Sequence, residues 1–498
     1  MLPALFVFAL ALTAQPPPPE PSEALVAKSQ QAKELMGAGR FDEAIPICQE
    51  LVKALPGNPG LLLNLALAQH MAGRDHDAVP NFETVLKLSP KNVPALVSLG
   101  ASRLALGEPK LAVAPFERAL AIEPGNQDAR GMLAGALLES GSFEKATEQY
   151  RMLSDKSPDD PRAWFGLGKA YEALGASAFE RLQKIDPKSP YVSVLVADTR
   201  VARRQFRSAF FFYNEALKQL PNVHGVHSSV AELYRKTGHQ DWAAAEDAKE
   251  QTLPPADCKA HPAECQFAGG HDVQATALPA KPTAESYFWQ AKAANELAMQ
   301  AFFRLGQLPP SVELHQFRAE IDRNLGQHLE AAQEWREAIK LSPRDVHLHY
   351  ELSVSLFMGK DYKATLAEAE PLLRALPKSA ELNFIIGDTY LRLEDPEKGI
   401  PYLRSALKLE PTMLAANASL GLSLFRMGNA AEAVPQLERA LELDDDGTLH
   451  FQLSRAYQAT GAAEKARVTL AKYEEIRKRN QRAMDDVARE AQIAAPTK

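Results

Sequence analysis

Residues 93–124 read VPALVSLGASRLALGEPKLAVAPFERALAIEP, and residues 126–158 read NQDARGMLAGALLESGSFEKATEQYRMLSDKSP. The second stretch repeats the first with its polar surface rewritten. Leu99 and Leu133, Gly107 and Gly141, Ala112 and Ala146, Phe116 and Tyr150, and Pro124 and Pro158 all stand 34 residues apart. Self-similarity at that period is the signature of stacked helix–turn–helix units, and finding it first decides how everything else is read.

The same punctuation extends outward. Gly39, Gly73, Gly107, Gly141 and Gly175 are spaced by 34, as are Pro56, Pro90, Pro124 and Pro158. The glycines fit the residue after the first helix of each pair, where a positive φ costs glycine little. The prolines fit the stop after the second helix, because proline lacks the donor that extends the ladder. Ala44, Ala78, Ala112 and Ala146 fit close helix–helix approach. A further series, Pro46, Pro80, Pro401 and Pro435, reads as a marker of second-helix starts, placed in a first turn that has no partner to lose.

These residues resemble the tetratricopeptide repeat. Trp164-Phe-Gly-Leu167-Gly168-Lys-Ala-Tyr171 matches that family's first-helix pattern W-x2-L-G-x2-Y in full. Ala78-x3-Phe82 with Pro90, and Ala112-x3-Phe116 with Pro124, match its second-helix half. Twelve units are counted, beginning near Leu25, Pro59, Val93, Gln127, Pro161, Pro190, His224, Val312, Val346, Ala380, Leu414 and Gly447. The resemblance implies an all-α fold, a right-handed superhelical solenoid of about twelve units in two stacks.

The departures are informative. In the fifth unit Trp164 and Pro187 are 23 positions apart, against 28 elsewhere, so its second helix is expected to begin early or be trimmed. The sixth has Arg204 at the turn position, and the seventh loses register after Gln251. Residues 252–282 carry five prolines, Gly269-Gly270 and two cysteines, and Ala284–Leu305 reads as one long helix or a closely joined pair. The expected organisation is a leader and Pro-rich linker over 1–21, an N-terminal array over 22–251, an irregular insertion with a degenerate helical unit over 252–310, a C-terminal array with a capping helix over 311–490, and a disordered tail over 491–498.

Leu2–Ala14 is apolar, ends in small residues and is followed by Pro16–Pro19. It suits the h-region of a secretory leader cleaved after Ala14 or near Ala11, although the positive n-region is limited to the terminal amine. The alternative is a buried N-terminal helix. A leader implies a bacterial periplasmic or secreted protein, with no transmembrane segment beyond the signal peptide. In that setting Cys258 and Cys265 are expected to pair as a disulfide, while Cys48 reads as a small core residue. Two cysteines are too few for a metal site; His261 and His271 nearby keep zinc as the lesser alternative. Elsewhere no metal, cofactor or catalytic residue is expected.

The net charge of −7 over 498 residues gives no basic footprint for nucleic acid. Arg477-Lys-Arg479 is the sharp alternative, set among five acidic residues of one solvated helix. There is no phosphate-binding glycine loop, H-E-x-x-H, paired C-x2-C or G-x-S-x-G. The twelve histidines are scattered and read as surface or satisfied groups. The non-repeat pieces are too short for a separate catalytic domain of ordinary size, so no enzyme is expected.

What remains is a groove. In the resembled family, positions 2, 5, 9 and 12 of each first helix face inward. That implies Leu63, Leu67, His70, Val97, Leu104, Phe165 and Lys169 toward the N-terminus. Toward the C-terminus it implies Gln316, Glu320, Arg323, Tyr350, Phe357, Phe384, Asp388, Phe451 and Arg455. Of these, Phe165, Lys169, Arg323, Tyr350, Phe384, Asp388, Phe451 and Arg455 form the candidate site, since aromatic anchors beside arginine suit a peptide or protein segment. The competing reading is that they pack against the neighbouring repeat. The leading expectation is a non-catalytic interaction scaffold; the alternative is an accessory subunit of a polysaccharide or surface-appendage export system.

Overall fold

The computed structural model describes residues 23–490 and 493–496. The apolar leader expected over 1–21 lies outside the described residues. Among those residues there are 26 α-helices, one short 3-10 turn and no strand. The chain resolves into two compact units, one up to Leu153 and one from Ser154.

The first unit is built from four helical hairpins. They are α1 (Glu23–Gly37) with α2 (Phe41–Ala54), α3 (Pro59–Met71) with α4 (Asp75–Leu88), α5 (Val93–Ala105) with α6 (Pro109–Ile122), and α7 (Gln127–Glu139) with α8 (Phe143–Lys156), whose last turn crosses the unit boundary. Each unit of sequence has a start signal and a stop signal. Asn92 and Asn126 cap α5 and α7, their side-chain oxygens accepting the N–H of Ala95 and Ala129 at 2.9 Å. Losing such a cap costs about 1 kcal/mol. Gly39, Gly73, Gly107 and Gly141 take φ between 71° and 80°, the left-handed turn that lets the second helix fold back. Ala44, Ala78, Ala112 and Ala146 are fully buried where the two helices touch. At Gly100 a Cβ would stand 2.5 Å from Phe116 Cζ, so the missing side chain is the slot that receives the ring. Free Cys48 is buried in this packing, as expected of a small core residue, and burial pushes its thiol pKa up.

The second unit is organised by two long helices. α9 (Pro161–Ile185) is continuous for 25 residues, with no turn at Gly175. The expectation of a trimmed second helix in the fifth repeat is therefore corrected: that stretch has no second helix of its own. Between α9 and its partner come α10 (Pro190–Ala202), α11 (Phe206–Gln219), α12 (Val226–Lys236), α13 (Gln240–Gln251), α14 (Pro262–Ala268) and α15 (Asp272–Ala275). The partner is α16 (Ala284–Gly306), a single helix as one of the two readings had it.

α9 and α16 pair antiparallel along their length. A Cβ on Gly168 would stand 2.4 Å from Phe302, and one on Gly175 would stand 2.7 Å from Asn295, seven residues further down one helix and seven up the other. The Gly168–Phe302 contact repeats Gly100–Phe116. Ala298-x3-Phe302 with Pro310 is the second-helix half-motif. The fifth repeat is thus split: its first helix is the N-terminal half of α9 and its second is the C-terminal half of α16. The hairpins α10–α11 and α12–α13 sit on the other halves, sharing a core that includes Leu182, Tyr213, Leu233, Phe288 and Trp289.

From Ser311 the plain period returns. The hairpins are α17 (Val312–Asn324) with α18 (His328–Leu341), α19 (Val346–Met358) with α20 (Tyr362–Ala375), α21 (Ala380–Arg392) with α22 (Pro396–Leu409), α23 (Leu414–Arg426) with α24 (Ala430–Ala440), and α25 (Thr448–Ala459) with α26 (Ala463–Glu490). Three turns put a side-chain residue in left-handed backbone: Arg204, Lys360 and Glu394, at φ of 57°, 63° and 62°. The prolines expected in first turns are displaced. Pro46, Pro80, Pro401 and Pro435 each occupy the sixth helical residue, in the second turn, where an N–H would already have a ladder partner. They mark second helices but give up one hydrogen bond each.

Candidate functional site

The candidate groove residues lie on successive first helices of the second unit, and most of them are engaged with one another. On α9, Phe165 packs its ring 6.5 Å from that of Phe302. Lys169 Nζ reaches Glu172 at 2.8 Å and Glu320 of α17 at 3.0 Å. Burial works to lower the Lys169 pKa, but these two carboxylates outweigh it and hold the ammonium above its ordinary range. Arg323 of α17 donates to Glu351 of α19 at 2.8 Å. Phe357 of α19 meets Phe384 of α21 edge to face at 6.1 Å. Asp388 of α21 is 2% exposed; it accepts from Ser419 of α23 at 2.6 Å and from Arg392 at 3.1 Å. Arg455 of α25 lies 5.3 Å over the Phe425 ring of α23. One contact therefore joins each first helix to the next, from α9 to α25.

That ladder separates the candidates. Lys169, Arg323 and Asp388 hold neighbouring repeats together, and buried Asp388 presents nothing to a partner. Tyr350 and Phe384 are half-buried against the hairpin cores. Phe451 is exposed, beside the Tyr473 ring at 5.3 Å, and Arg455 is exposed on its outer side. Arg477 lies over the Tyr473 ring.

A second surface, which the spacing of inward positions did not reach, lies along α11–α13. A cleft of about 910 Å³ is lined by Phe210, Phe211, Lys218, Pro221, Tyr234 and Lys249, and by Ala494, Ala495 and Pro496 of the chain's own C-terminal segment. Tyr234 is 1% exposed, and its hydroxyl donates to the Ala494 carbonyl at 2.7 Å. Ile493 packs against the same hydrophobic core. Residues 493–496, expected as part of a disordered tail, thus lie as irregular backbone along one wall of this cleft. Burial, with Glu246 adding to it, pushes the Tyr234 hydroxyl up to about 12, so it stays a donor at neutral pH.

An ion network floors this cleft. His227 Nδ1 lies 2.5 Å from Glu246 Oε2, and its Nε2 lies 3.3 Å from the Pro221 carbonyl. Both partners are acceptors, an arrangement that favours the doubly protonated ring. The hydrogen bond to Glu246 raises the His227 pKa against the pull of burial. Burial in turn works to raise Glu246, and His227 and Lys249 together overcome it, holding the carboxyl low.

The disulfide Cys258–Cys265 ties the loop before α14 to that helix. It removes both thiols from the metal-ligand pool, and with them the zinc alternative built on the cysteine pair. Among the described residues no helix is long and apolar enough to cross a membrane.

Comparison with known proteins gives family and fold. Profiles described as tetratricopeptide repeat match residues 35–79 and 103–169, and residues 76–129, 318–381 and 386–448. No curated protein matches the chain. Similar solved structures include a tetratricopeptide repeat protein from Parabacteroides merdae (14% identity, 67% of this chain and 100% of that one, TM-score 0.32). They also include MamA from Desulfovibrio magneticus (24%, 30% and 84%, TM-score 0.29) and YrrB, described as having an unusual peptide-binding site (22%, 36% and 91%, TM-score 0.30).

Proposed function

Because this chain belongs to the tetratricopeptide repeat family, we propose that it is an exported interaction scaffold whose α11–α13 cleft holds an extended segment of another polypeptide. The observation that carries the reading is the chain's own segment at Ile493–Pro496, laid along the α11–α13 surface at the edge of that cleft with one backbone carbonyl on the buried Tyr234 hydroxyl. A backbone contact plus an apolar wall is the chemistry of an extended-peptide site, and small residues with a proline fit it at low ordering cost. The C-terminal segment is then the resident occupant, which a partner in trans must displace. The ladder from α9 to α25 supports a stiff platform, with Phe451 and Arg455 as its exposed anchors.

Export is supported by the apolar Leu2–Ala14 stretch and by the Cys258–Cys265 disulfide, which belongs in an oxidising compartment. A mature N-terminus at Gln15 in an envelope or medium fraction is the expected result; an intact Met1 in the cytoplasm would refute it.

The binding test uses a chain ending at Glu490 and a labelled peptide of residues 491–498, AQIAAPTK. The shortened chain should bind the peptide, the full chain should bind it more weakly, and Tyr234→Phe should weaken it by about 1 kcal/mol for a lost neutral hydrogen bond. Equal failure of both chains to bind would remove the peptide reading. Retention of a glycan in its place would favour the export-accessory alternative.

A further inference from the structure

Among the described residues, three metal-ligating side chains converge at one place: His261, Glu264 and Glu285. We propose that they form a binding site for a divalent transition-metal ion of the Zn²⁺ type. Their donor atoms all lie within 4.8 Å of one another. Around a tetrahedral ion at about 2.0–2.2 Å the donors stand roughly 3.3–3.6 Å apart, so closure draws the widest pair together by about 1 Å and opens the 2.6 Å His261–Glu285 contact, movements within reach of side-chain rotation. Once the ion displaces the proton that His261 shares with Glu285, one neutral imidazole and two carboxylates carry a charge that a divalent ion balances. The nitrogen donor favours the zinc class over calcium, which takes six to eight oxygens.

The site is built rather than fortuitous. His261 stands at the N-cap position of α14, its side chain free of any capping bond, and Glu264 lies in the first turn, so the two are three residues apart on one turn of backbone. The Cys258–Cys265 bond brackets both and fixes that turn. Glu285, in the first turn of α16, comes from a separate element, and its Oε1 is already 2.6 Å from His261 Nδ1. Glu264 is held from behind by His224, whose Nδ1 lies 2.6 Å from its Oε1. A ligand carboxylate oriented by an outer hydrogen bond is how metal sites fix their first ligands. His261 and Glu264 also line a cavity of about 280 Å³ beside Tyr191 and Pro255, which leaves room for a further small ligand next to the cluster. Elsewhere the imidazole–carboxylate pairs, such as His315–Glu334 and His349–Glu368, involve a single carboxylate each and do not gather a third donor.

The experiment uses the oxidised full-length chain, stripped with chelator. Zn²⁺ is titrated calorimetrically, and Co²⁺ is added as an optical probe of low coordination number. One saturable equivalent is expected, with visible d–d absorption of Co²⁺ that Zn²⁺ displaces. His261→Ala and Glu285→Gln should each abolish that equivalent. His224→Ala should weaken it by roughly 10-fold, as an outer-shell change does. His349→Ala should leave it unchanged. Zn²⁺ should also raise the Tm of the native chain and not that of Glu285→Gln, a near-isosteric change chosen to keep the fold. Absence of a saturable equivalent, or one that survives Glu285→Gln and Glu264→Gln in folded protein, would overturn the proposal.

Discussion

Three histidines that look scattered in the sequence occupy one structural position. His227, His315 and His349 each face a carboxylate 19 residues on: Glu246, Glu334 and Glu368. His227 and His349 also reach the carbonyl of the proline six residues back, as do Trp164 and Arg130. Near the start of α7, α9, α12 and α19 such a donor ties the hairpin to the end of the preceding repeat, whereas α3 and α5 place the buried Leu62 and Leu96 at the fourth helical residue. Packing leucines behave more simply. Leu133, 4% exposed on α7, is expected to lose about 2–5 kcal/mol on replacement by alanine, measured by denaturant unfolding. Phe384→Ala is a sharper test of the candidate site. The ring is half-buried against Phe357 and the Leu403–Leu420 cluster, so truncation should cost stability, roughly 1–3 kcal/mol. A melting temperature unmoved by Phe384→Ala would restore it as a free groove residue.

At the scale of the helix, the split repeat is the main consequence of the fold. Gly168 and Phe302 are 134 residues apart in sequence, yet they meet as Gly100 and Phe116 do across 16. Gly168→Ala would press a methyl group against the Phe302 ring and should cost about 1–3 kcal/mol, as overpacking does. Trimming the ring in Gly168→Ala/Phe302→Leu should recover part of that loss in chemical denaturation. Additivity of the two single changes would separate α9 from α16 and dissolve the split repeat. The pairing was half legible. The pattern Trp164 to Tyr171 announces a first helix, and Ala298-x3-Phe302 with Pro310 announces a second, but no local signal says they belong together. Gly175 misleads because it stands in phase with the turn glycines; in the fold it is small to admit Asn295. The prolines mislead in the same way: composition shows that they mark second helices, and only the hydrogen-bond ladder shows that they sit one turn in. The inward positions were legible as a ladder of residues. Whether each meets a guest or its neighbour depends on contacts between repeats, as buried Asp388 illustrates. The cleft on α11–α13 carried no motif, because its occupant comes from more than 240 residues away.

Over the whole molecule, the repeated histidine position makes stability depend on pH in a particular sense. His227 and His349 have pKa values raised in the folded state. For His227 the bond to Glu246 leads the effect; for His349 burial opposes it and Glu368 with the Pro343 carbonyl prevails. A raised folded pKa contributes stability that is complete below the unfolded value, near 6.5, and is lost as pH climbs through the folded one. Glu246 is shifted down, so its contribution is complete above the ordinary carboxylate range and is lost as pH falls through its folded pKa. Both contributions are complete together only in the weakly acidic window, from about pH 5 to about pH 6.5. The Tm should peak there and decline toward pH 8.5, below the range in which the buried tyrosines ionise. His227→Asn with His349→Asn should make the alkaline limb shallower, leaving the part that His261 supplies, and should reduce the share of the acid limb that His227 gives Glu246. A Tm that rises steadily from pH 6 to pH 8.5 in the native chain would mean that these rings are neutral, and that the donor position works through the proline carbonyls alone.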